Sequence, residues 1–382
     1  MNERRSAAMR VHAAVLQRSG GPRPYAQSRP LEITAVMLDP PGPGEVLIAI
    51  RAAGLCHSDL SVIDGVRPRP LPMVLGHEAA GVVTALGDGV TDLAVGDHVV
   101  TAFVPSCGTC EPCLKSRPAL CEPGAASNTQ GSLLGGTRRL SACGRPLHHH
   151  LGVSAFATHA VVSRHSLIGV DRGLPFDQAA LFGCAVMTGV GAVVNTAQVF
   201  PGARVAVIGL GGVGLAALLG ARACGADALV AVDLADAKLA LAQELGAGLC
   251  VNAAAADAVE RIRAATHGGV DFAFEMAGST QAMDLAYRIT RRGGTTVTAG
   301  LPPPQAQFSV PHVGLVAEER TVKGSYLGSC VPQRDIPRYI EWFKAGRLPV
   351  DRLVSAHIAF ERINEAFDAL ADATTVRQVI LM

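Results

Sequence analysis

The stretch GLCHSDLS, residues 54–61, sets a cysteine, a histidine, an aspartate and two serines within six positions. These side chains can bind a metal, accept hydrogen bonds or carry a proton, and they stand in otherwise apolar sequence. A second histidine, His77, is followed by Glu78 in LGHEAAG, and Cys184 lies in FGCAVMTG. Two thiolates and one imidazole hold zinc with a fourth position open, the arrangement of a catalytic ion. Singly, each residue has a plainer reading: Cys184 as core filler on an apolar helix, His77 as a buried, hydrogen-bonded ring. Their joint occurrence beside the glycine motif described below favours the metal reading. A metal-bound imidazole needs a partner on its second nitrogen, and Asp59 is the candidate; a solvated loop aspartate or a helix cap is its alternative. Glu78 reads either as a carboxylate approaching the ion from behind or as half of a structural salt bridge.

A second cluster, CGTCEPCLKSRPALC, places Cys107, Cys110, Cys113 and Cys121 at gaps of three, three and eight. Four thiolates complete a tetrahedron around zinc and leave no open position, so this site is structural. Gly and Pro between the cysteines bend the chain enough for the sulfurs to converge. A bound metal would keep such a loop folded, whereas four free thiols there would be prone to oxidation. An iron–sulfur cluster is the competing occupant. Further on, RVAVIGLGGVG carries Gly209, Gly211 and Gly214 as G-x-G-x-x-G, with Gly212 and Val213 between them. Between a strand and a helix these glycines allow a tight turn and close approach of a pyrophosphate, whose charge the helix N-terminus favours. Asp233 ends the next apolar run, nineteen residues after Gly214, the spacing of an acid that binds ribose hydroxyls. Its charge would repel a 2′-phosphate, so NAD is expected over NADP. Lys238 either helps to hold the ribose or is an ordinary exposed helix lysine.

These groups need rigid elements to hold them. The chain has 382 residues, enough for two domains, and is 49% hydrophobic and 17% charged, the balance of a well-cored globular protein. A net charge of +1 gives no footprint for nucleic acid or an anionic membrane. The start, MNERRSAAMR, is charged and lacks the apolar core of a secretory signal. A cytoplasmic protein is expected, with Met9 as a possible alternative start. Ten cysteines in such a chain read as thiols or metal ligands more readily than as disulfides. The run VAVIGLGGVGLAALLGA at 205–221 approaches membrane-span length but reads as a buried strand, a glycine turn and the start of a helix. From about 10 to 175, short apolar runs such as EVLIAIRAAG alternate with Pro and Gly clusters, an all-β pattern. From about 176, short strands alternate with helical stretches, which predicts a doubly wound parallel sheet. The chain ends on a strand, VRQVILM.

Together these residues resemble the zinc-dependent alcohol dehydrogenases of the medium-chain dehydrogenase/reductase superfamily. The resemblance runs from about residue 11 to the end, with GLCHSD, GHEAAG, the four-cysteine lobe, GCAVMTGVGA, GLGGVG with Asp233, GVDFAFEMAG and Arg377 in family order. It implies an α/β chain: a GroES-like β-barrel catalytic domain over 1–186, completed by 328–382, and a Rossmann doubly wound parallel sheet over 187–327. It implies two Zn2+ per chain, the catalytic one on Cys56, His77 and Cys184. Ser58 would sit against the substrate oxygen, His57 and Arg377 would face the cofactor pyrophosphate, and Thr188 the nicotinamide side. Ser58, Phe103, Ala126, His150, Leu151, Leu301 and Tyr326 would line the substrate pocket. The triple histidine 148–150 is read as a polar loop end beside that pocket rather than a third metal site. The long stretch between Cys121 and Leu151 is similar to that of dimeric members, so a homodimer is expected. Two departures matter. Members often carry a histidine five residues after the first zinc-ligand cysteine, as the outer end of a proton relay; here it is Ser61. The glutathione-dependent formaldehyde branch usually has an acidic residue eleven after that cysteine; here it is Arg67, which weighs against that activity.

The expected chemistry is hydride transfer between a primary alcohol, medium-chain or aromatic, and NAD. An alcohol donates hydride poorly until it loses its proton, and zinc as a Lewis acid would make that loss accessible near neutral pH. Ser61 ionises too weakly to replace a histidine as terminal base; it either passes a proton through water or caps local structure. Oxidation of S-(hydroxymethyl)glutathione is the rival within this chemistry. A zinc-stabilised NAD-binding protein without turnover is the rival outside it, and an open metal position argues against that.

Overall fold

The computed structural model describes residues 7–382; the first six, part of the charged start considered above, lie outside the described residues. The chain forms two compact units. The first comprises the chain up to Cys184 with Val331–Pro337 and Val354–Met382; the second comprises Ala185–Cys330 and Arg338–Leu353.

Among the described residues, the first unit carries a six-stranded and a seven-stranded sheet. Strand Met9–Leu16 pairs antiparallel with Leu31–Leu38, and strand Glu45–Gly54 pairs antiparallel with Glu78–Leu86 and with His159–Ser163. Strand Glu45–Gly54 reads as a nearly continuous apolar run because both of its faces are covered. Alternate side chains of Met9–Leu16 enter different cores: Val11, Ala13 and Val15 pack with Val36, Val74 and Leu147, while Ala14 and Leu16 pack with Ile48, Phe156 and Phe367. The period of two is thus present, but hydrophobicity alone does not reveal it. The last strand, Arg377–Leu381, lies antiparallel to Glu45–Gly54, with Val379 opposite Gly54, so the chain's end returns to the seven-stranded sheet of the first unit.

In the second unit, six strands form a parallel sheet in the order Leu249–Asn252, Ala228–Asp233, Arg204–Ile208, Val270–Glu275, Thr290–Thr298, Thr321–Gly324. Numbered along this unit, that order is 3-2-1-4-5-6, the doubly wound arrangement whose ligands bind beyond the carboxyl ends of the strands. The membrane-length run at 205–221 resolves into the buried strand Arg204–Ile208 and the helix Gly212–Ala223. A different helical stretch, Phe176–Ala197, is long and apolar enough to cross a bilayer, yet 83% of its most apolar window is buried inside the protein. A helix that is apolar all round and covered by protein is a core helix.

The fold class is the one expected from the sequence. The division of the chain differs in detail: the return to the first unit falls after Cys330 rather than at 328, and Arg338–Leu353 belongs with the parallel sheet. Specific bonds tie that segment there. Tyr339 Oη accepts from Asn195 Nδ2 at 3.3 Å, Arg347 donates to the Ala223 carbonyl at 2.9 Å, and Arg352 pairs with Glu244 at 2.7 Å.

Candidate functional site

Cys56 caps the short helix His57–Ile63, which follows strand Glu45–Gly54 directly. The strand end fixes the thiol in space, and the helix turns Asp59 and Leu60 inward while His57 stays exposed. His77 opens the adjacent strand. Gly76 before it has φ +88° and lies so close to Phe156 that an added Cβ would stand 2.5 Å from the Phe156 backbone nitrogen, so only glycine fits there. Thr101 fixes the next residues: its Oγ1 lies 3.0 Å from the His77 carbonyl oxygen and accepts the Ala79 N–H at 3.0 Å. Cys184 lies in Phe182–Val186, a helical segment with widened π-type turns, a distortion that often marks functional positions.

These elements bring the three ligands together. Cys56 is 6% exposed, Cys184 3% and His77 0%. The two sulfurs are 4.0 Å apart, and one ligand atom from each of the three residues falls within 4.8 Å of the others. A tetrahedron with Zn–S of about 2.3 Å has an edge of about 3.8 Å. His77 Nε2 has no hydrogen-bond partner among the described residues, while Nδ1 lies 3.3 Å from both Asp59 oxygens. The donor set therefore fits a zinc ion on the free nitrogen side of the ring. Asp59 Oδ1 also accepts the Gly76 N–H at 2.9 Å. Burial disfavours the imidazolium, but Asp59 and Cys56 outweigh it and hold His77 up at about 10. The Cys184 thiol, with Arg377 and His77 nearby, holds Cys56 well below the ordinary thiol range despite burial; Cys184 itself, beside Cys56 and buried, is pushed above it.

Glu78 is fully buried, and its Oε2 lies 3.3 Å from Arg377 Nη2. Burial raises Glu78 to about 7, partly offset by Arg377 and reinforced by Cys56. Arg377 also donates to the Leu55 carbonyl at 2.7 Å, and burial of its guanidinium is more than offset by Glu78 and the two thiols. The salt-bridge reading of Glu78 is thus realised, in direct proximity to the metal ligands. Ser58 is half-buried, with its Oγ 3.7 Å from Cys56 Sγ. Ser61 donates its hydroxyl hydrogen to the Ser58 carbonyl at 2.9 Å, the local back-bond of a serine inside a helix.

The four-cysteine lobe converges as well: one sulfur from each of Cys107, Cys110, Cys113 and Cys121 lies within 4.8 Å of the rest. Backbone N–H groups of Thr109 and Cys110 point at Cys107 Sγ, and those of Cys107 and Gly124 at Cys121 Sγ. Such N–H donors are what thiolates need. The Thr109 bonds bring Cys107 down to about 6, whereas burial lifts Cys113 to about 12. The set fits a closed zinc site.

In the second unit, helix Gly212–Ala223 begins directly after the glycine turn, with Gly211 as its cap. A Cβ on Gly214 would meet the Gly209 carbonyl oxygen at 1.8 Å, so helix and strand pack here without room for any side chain. A Cβ on Gly211 would meet nothing within 4 Å, and Gly212 and Val213 continue the helix start. A crowded third glycine and an open second one fit a backbone approached by a pyrophosphate. Asp233 ends its strand and is fixed by accepting from Leu210 N–H at 2.6 Å and Ala235 N–H at 2.9 Å. Lys238 is half-buried on the following helix. Thr188 is buried, and its Oγ1 has no partner among the described residues.

Of the expected pocket residues, Phe103 and His150 stand edge-on to the His77 ring at centroid distances of 5.0 and 5.6 Å, and Leu151 is 7% exposed. Ala126 lies exposed on the helix Glu122–Gln130. Leu301 and Tyr326, in the second unit, are exposed at 53% and 39%. The three histidines have separate surroundings. His148 Nδ1 lies 3.2 Å from the Gln130 carbonyl oxygen. His149 accepts the Arg139 N–H on Nε2 and is kept neutral, at about 3, by burial and by Arg138 and Arg139. His150 Nε2 lies 3.3 Å from Asp59 Oδ1, and burial, opposed by Asp59, takes it down to about 4. No pattern in the sequence marks Thr101, and none separates His150 from its two neighbours.

Comparison with known proteins gives a consistent picture. The model of the alcohol dehydrogenase GroES-like domain matches residues 42–172, and that of the zinc-binding dehydrogenase domain matches 212–345. The S-(hydroxymethyl)glutathione dehydrogenase of Paracoccus denitrificans is 36% identical over 383 aligned residues, covering 98% of this chain and all of that protein. The crystal structure of an alcohol dehydrogenase zinc-binding domain protein from Burkholderia ambifaria superposes with a TM-score of 0.92 at 36% identity, covering 98% of this chain and 99% of the other. Benzyl alcohol dehydrogenase from Acinetobacter calcoaceticus does so with a TM-score of 0.91 at 33% identity and the same coverage.

The two cysteine sets lead us to expect two zinc ions per chain with different duties. Cys184→Ser should remove one equivalent and cost roughly a hundredfold or more in turnover with the thermal midpoint nearly unchanged. Cys110→Ser should remove the other equivalent and lower the midpoint by about 10 °C. Elemental analysis beside thermal scans of both variants checks this; a single zinc, or iron, in the unmodified protein contradicts it.

Proposed function

The chain belongs to the zinc-dependent alcohol dehydrogenases of the medium-chain dehydrogenase/reductase superfamily, and from that premise we propose that it interconverts medium-chain or aromatic primary alcohols and their aldehydes with NAD as the hydride carrier. The observation that carries the reading is the buried Cys56–His77–Cys184 set with Asp59 behind the imidazole, the ligand set already known from alcohol dehydrogenases. When bound, zinc supplies a Lewis acid that eases loss of the alcohol proton, and NAD supplies a hydride acceptor.

The chain's own groups do the rest. Asp59 fixes the tautomer of His77 by facing Nδ1. Ser58, the half-buried hydroxyl beside Cys56 Sγ, accepts the alcohol proton while handing its own hydroxyl hydrogen on to solvent, so it relays the proton without being left ionised. The Ser61 hydroxyl is committed to the Ser58 carbonyl and has no part in that transfer. Asp233, held by two backbone N–H groups, presents its carboxylate at the strand end, where ribose hydroxyls would bind and a 2′-phosphate would be repelled. Phe103 and Leu151 give the substrate side an apolar character, in keeping with the similarity to a benzyl alcohol dehydrogenase. A second reading, oxidation of S-(hydroxymethyl)glutathione, is favoured by the name of the Paracoccus relative and opposed by Arg67, which stands where that branch carries an acid.

The chain is further proposed to work as a homodimer joined at the open edge of the parallel sheet. The edge strand Thr321–Gly324 is exposed at all four residues, and Val313, Val316 and Val322 nearby in sequence are exposed at 75%, 70% and 41%. An uncovered edge with apolar neighbours is a pairing surface. Light scattering should report twice the 39.4 kDa chain mass; a monomer or a tetramer refutes the assignment.

A substrate panel read at the NADH absorbance tests the main reading. Benzyl and hexyl alcohols should exceed ethanol in kcat/KM by about tenfold or more, since each buried methylene adds discrimination. Turnover of formaldehyde that appears only with glutathione would install the second reading. NAD should exceed NADP by about tenfold, because repulsion at Asp233 is worth on the order of a kcal/mol, and Asp233→Gly should narrow the gap.

Proton transfer is tested separately. Ser58→Ala should lower kcat by roughly a hundredfold, whereas Ser61→Ala should cost less than about threefold, the range of a lost local bond. The pH profiles of kcat/KM for both variants decide; equal losses would place Ser61 in the transfer path.

A further inference from the structure

Glu275, in the motif GVDFAFEMAG, closes the strand Val270–Glu275, which pairs with Arg204–Ile208. In the order 3-2-1-4-5-6 these are strands 4 and 1, the neighbours at which the winding of the sheet reverses. A dinucleotide lies in the crevice beyond that point. The glycine turn leaves strand 1 on one side of the crevice, and residues 276–278 leave strand 4 on the other. The two segments touch: Met276 N–H donates to the Ile208 carbonyl at 2.8 Å, and a Cβ on Gly209 would stand 2.7 Å from the Ala277 nitrogen.

Glu275 is buried, and its oxygens bond to two separate segments. Oε1 accepts the Ala277 and Gly278 N–H groups at 2.8 and 2.6 Å, while Oε2 accepts the Thr298 hydroxyl at 2.7 Å. Its carbonyl oxygen accepts the Ala299 and Gly300 N–H groups at 3.0 and 3.2 Å. One residue thus ties the chain that leaves strand 4 to the chain that leaves strand 5. The joint is close-packed: a Cβ on Gly300 would stand 2.2 Å from the Gly278 nitrogen and 2.8 Å from Glu275 Oε2.

A doubly wound sheet receives a dinucleotide as two mononucleotides, one on each half. Asp233, at the end of strand 2, marks the half that would take the adenosine ribose. Strands 4 and 5 belong to the other half, which is left for the nicotinamide mononucleotide. Thr188, buried with an unpartnered Oγ1, stands at the start of the glycine-turn helix, since a Cβ on its neighbour Gly189 would meet the Val213 carbonyl oxygen at 2.2 Å.

We propose that Glu275 is a positioning residue for the nicotinamide half of the cofactor: by tying residues 276–278 to 298–300 it fixes the wall of the crevice on that side. This rests on the NAD reading of the glycine turn and Asp233. A tie that merely kept the whole unit folded would serve both halves of the cofactor alike, and the two roles part on that point.

The test uses the full-length protein with Glu275→Ala, Glu275→Gln and Thr298→Val. Gln keeps an oxygen for the two N–H groups, and its amide nitrogen can donate to Thr298 Oγ1; Ala keeps neither. Thr298→Val preserves shape and removes only the hydroxyl on Oε2. The readouts are the Kd of NADH from its fluorescence, the Kd of AMP, the adenylate half alone, from calorimetry, and the circular dichroism of each variant. Glu275→Ala should raise the Kd of NADH by about tenfold, the order of a lost hydrogen bond to a charged group, and leave that of AMP within about twofold. Glu275→Gln should stay within about threefold of the unmodified protein for NADH, and Thr298→Val should weaken NADH by about threefold with AMP unchanged. If the Ala variant does not fold, Thr298→Val carries the comparison. An unchanged Kd of NADH in the Ala and Val variants overturns the proposal. So does equal weakening of AMP and NADH, which would mean a general loss of structure, or a Gln variant no better than Ala. Should the unmodified protein bind neither NADH nor AMP, the NAD reading itself falls, and this inference with it.

Discussion

Ionisable groups buried together must compensate one another, and this requirement shapes the catalytic unit. Cys56, Cys184, Asp59 and Glu78 are all nearly or wholly removed from water, as are His77 and Arg377. Two thiolates and two carboxylates against one guanidinium and one imidazolium would leave an excess of negative charge that a protein interior does not tolerate. The protein's own groups show the strain: one thiol is pushed down and its neighbour up, and Glu78 is raised to about 7. A divalent cation between the thiols offsets that excess, so metal binding and the protonation of this cluster are one equilibrium.

The compensation draws on distant parts of the chain. Arg377 enters on the last strand, which reaches Glu78 because it pairs with Glu45–Gly54. His150 enters from the loop after the four-cysteine lobe and meets Asp59. The chain's end and that lobe are therefore parts of the site's electrostatics, although neither supplies a ligand to the open set. A β-unit suits this task, since its strand register places Gly54 opposite both Glu78 and Val379 and leaves little freedom in where each neighbouring side chain goes.

Residues whose roles follow from short-range pattern were legible in the sequence. The four cysteines, the glycine turn and Asp233 each sit at spacings that local geometry dictates, and the alternation of strands and helices marks the parallel sheet. Strand Glu45–Gly54 was legible only as an apolar run, because both of its faces are covered. The open set of Cys56, His77 and Cys184 with Asp59 was legible from residue types beside the glycine motif, but other contacts between distant segments were not. His148, His149 and His150 are identical letters, and only the turn fixed by Ser154 sends one to Asp59 and another to the Arg139 N–H. Ser61 stood between two readings, and only the folded helix shows its hydroxyl bonded to the Ser58 carbonyl. The assignment of Arg338–Leu353 likewise turns on single bonds such as Arg352 to Glu244, which no periodicity announces.

The two cysteine sets also differ in what stabilises their sulfurs, and this bears on what each ion can do. In the four-cysteine lobe, backbone N–H groups bond to Cys107 and Cys121. Each such bond withdraws electron density from sulfur and locks the loop, which suits an ion that only holds structure. At the open site the sulfurs neighbour each other and Ser58, and compensation comes from charges one step removed: Arg377 through Glu78, and His77 backed by Asp59. Charge held at that distance adjusts as a substrate proton leaves, without breaking a bond to the ligands themselves. A site meant to turn over needs that adjustability, and the placing of Asp59 behind His77 is where this fold provides it.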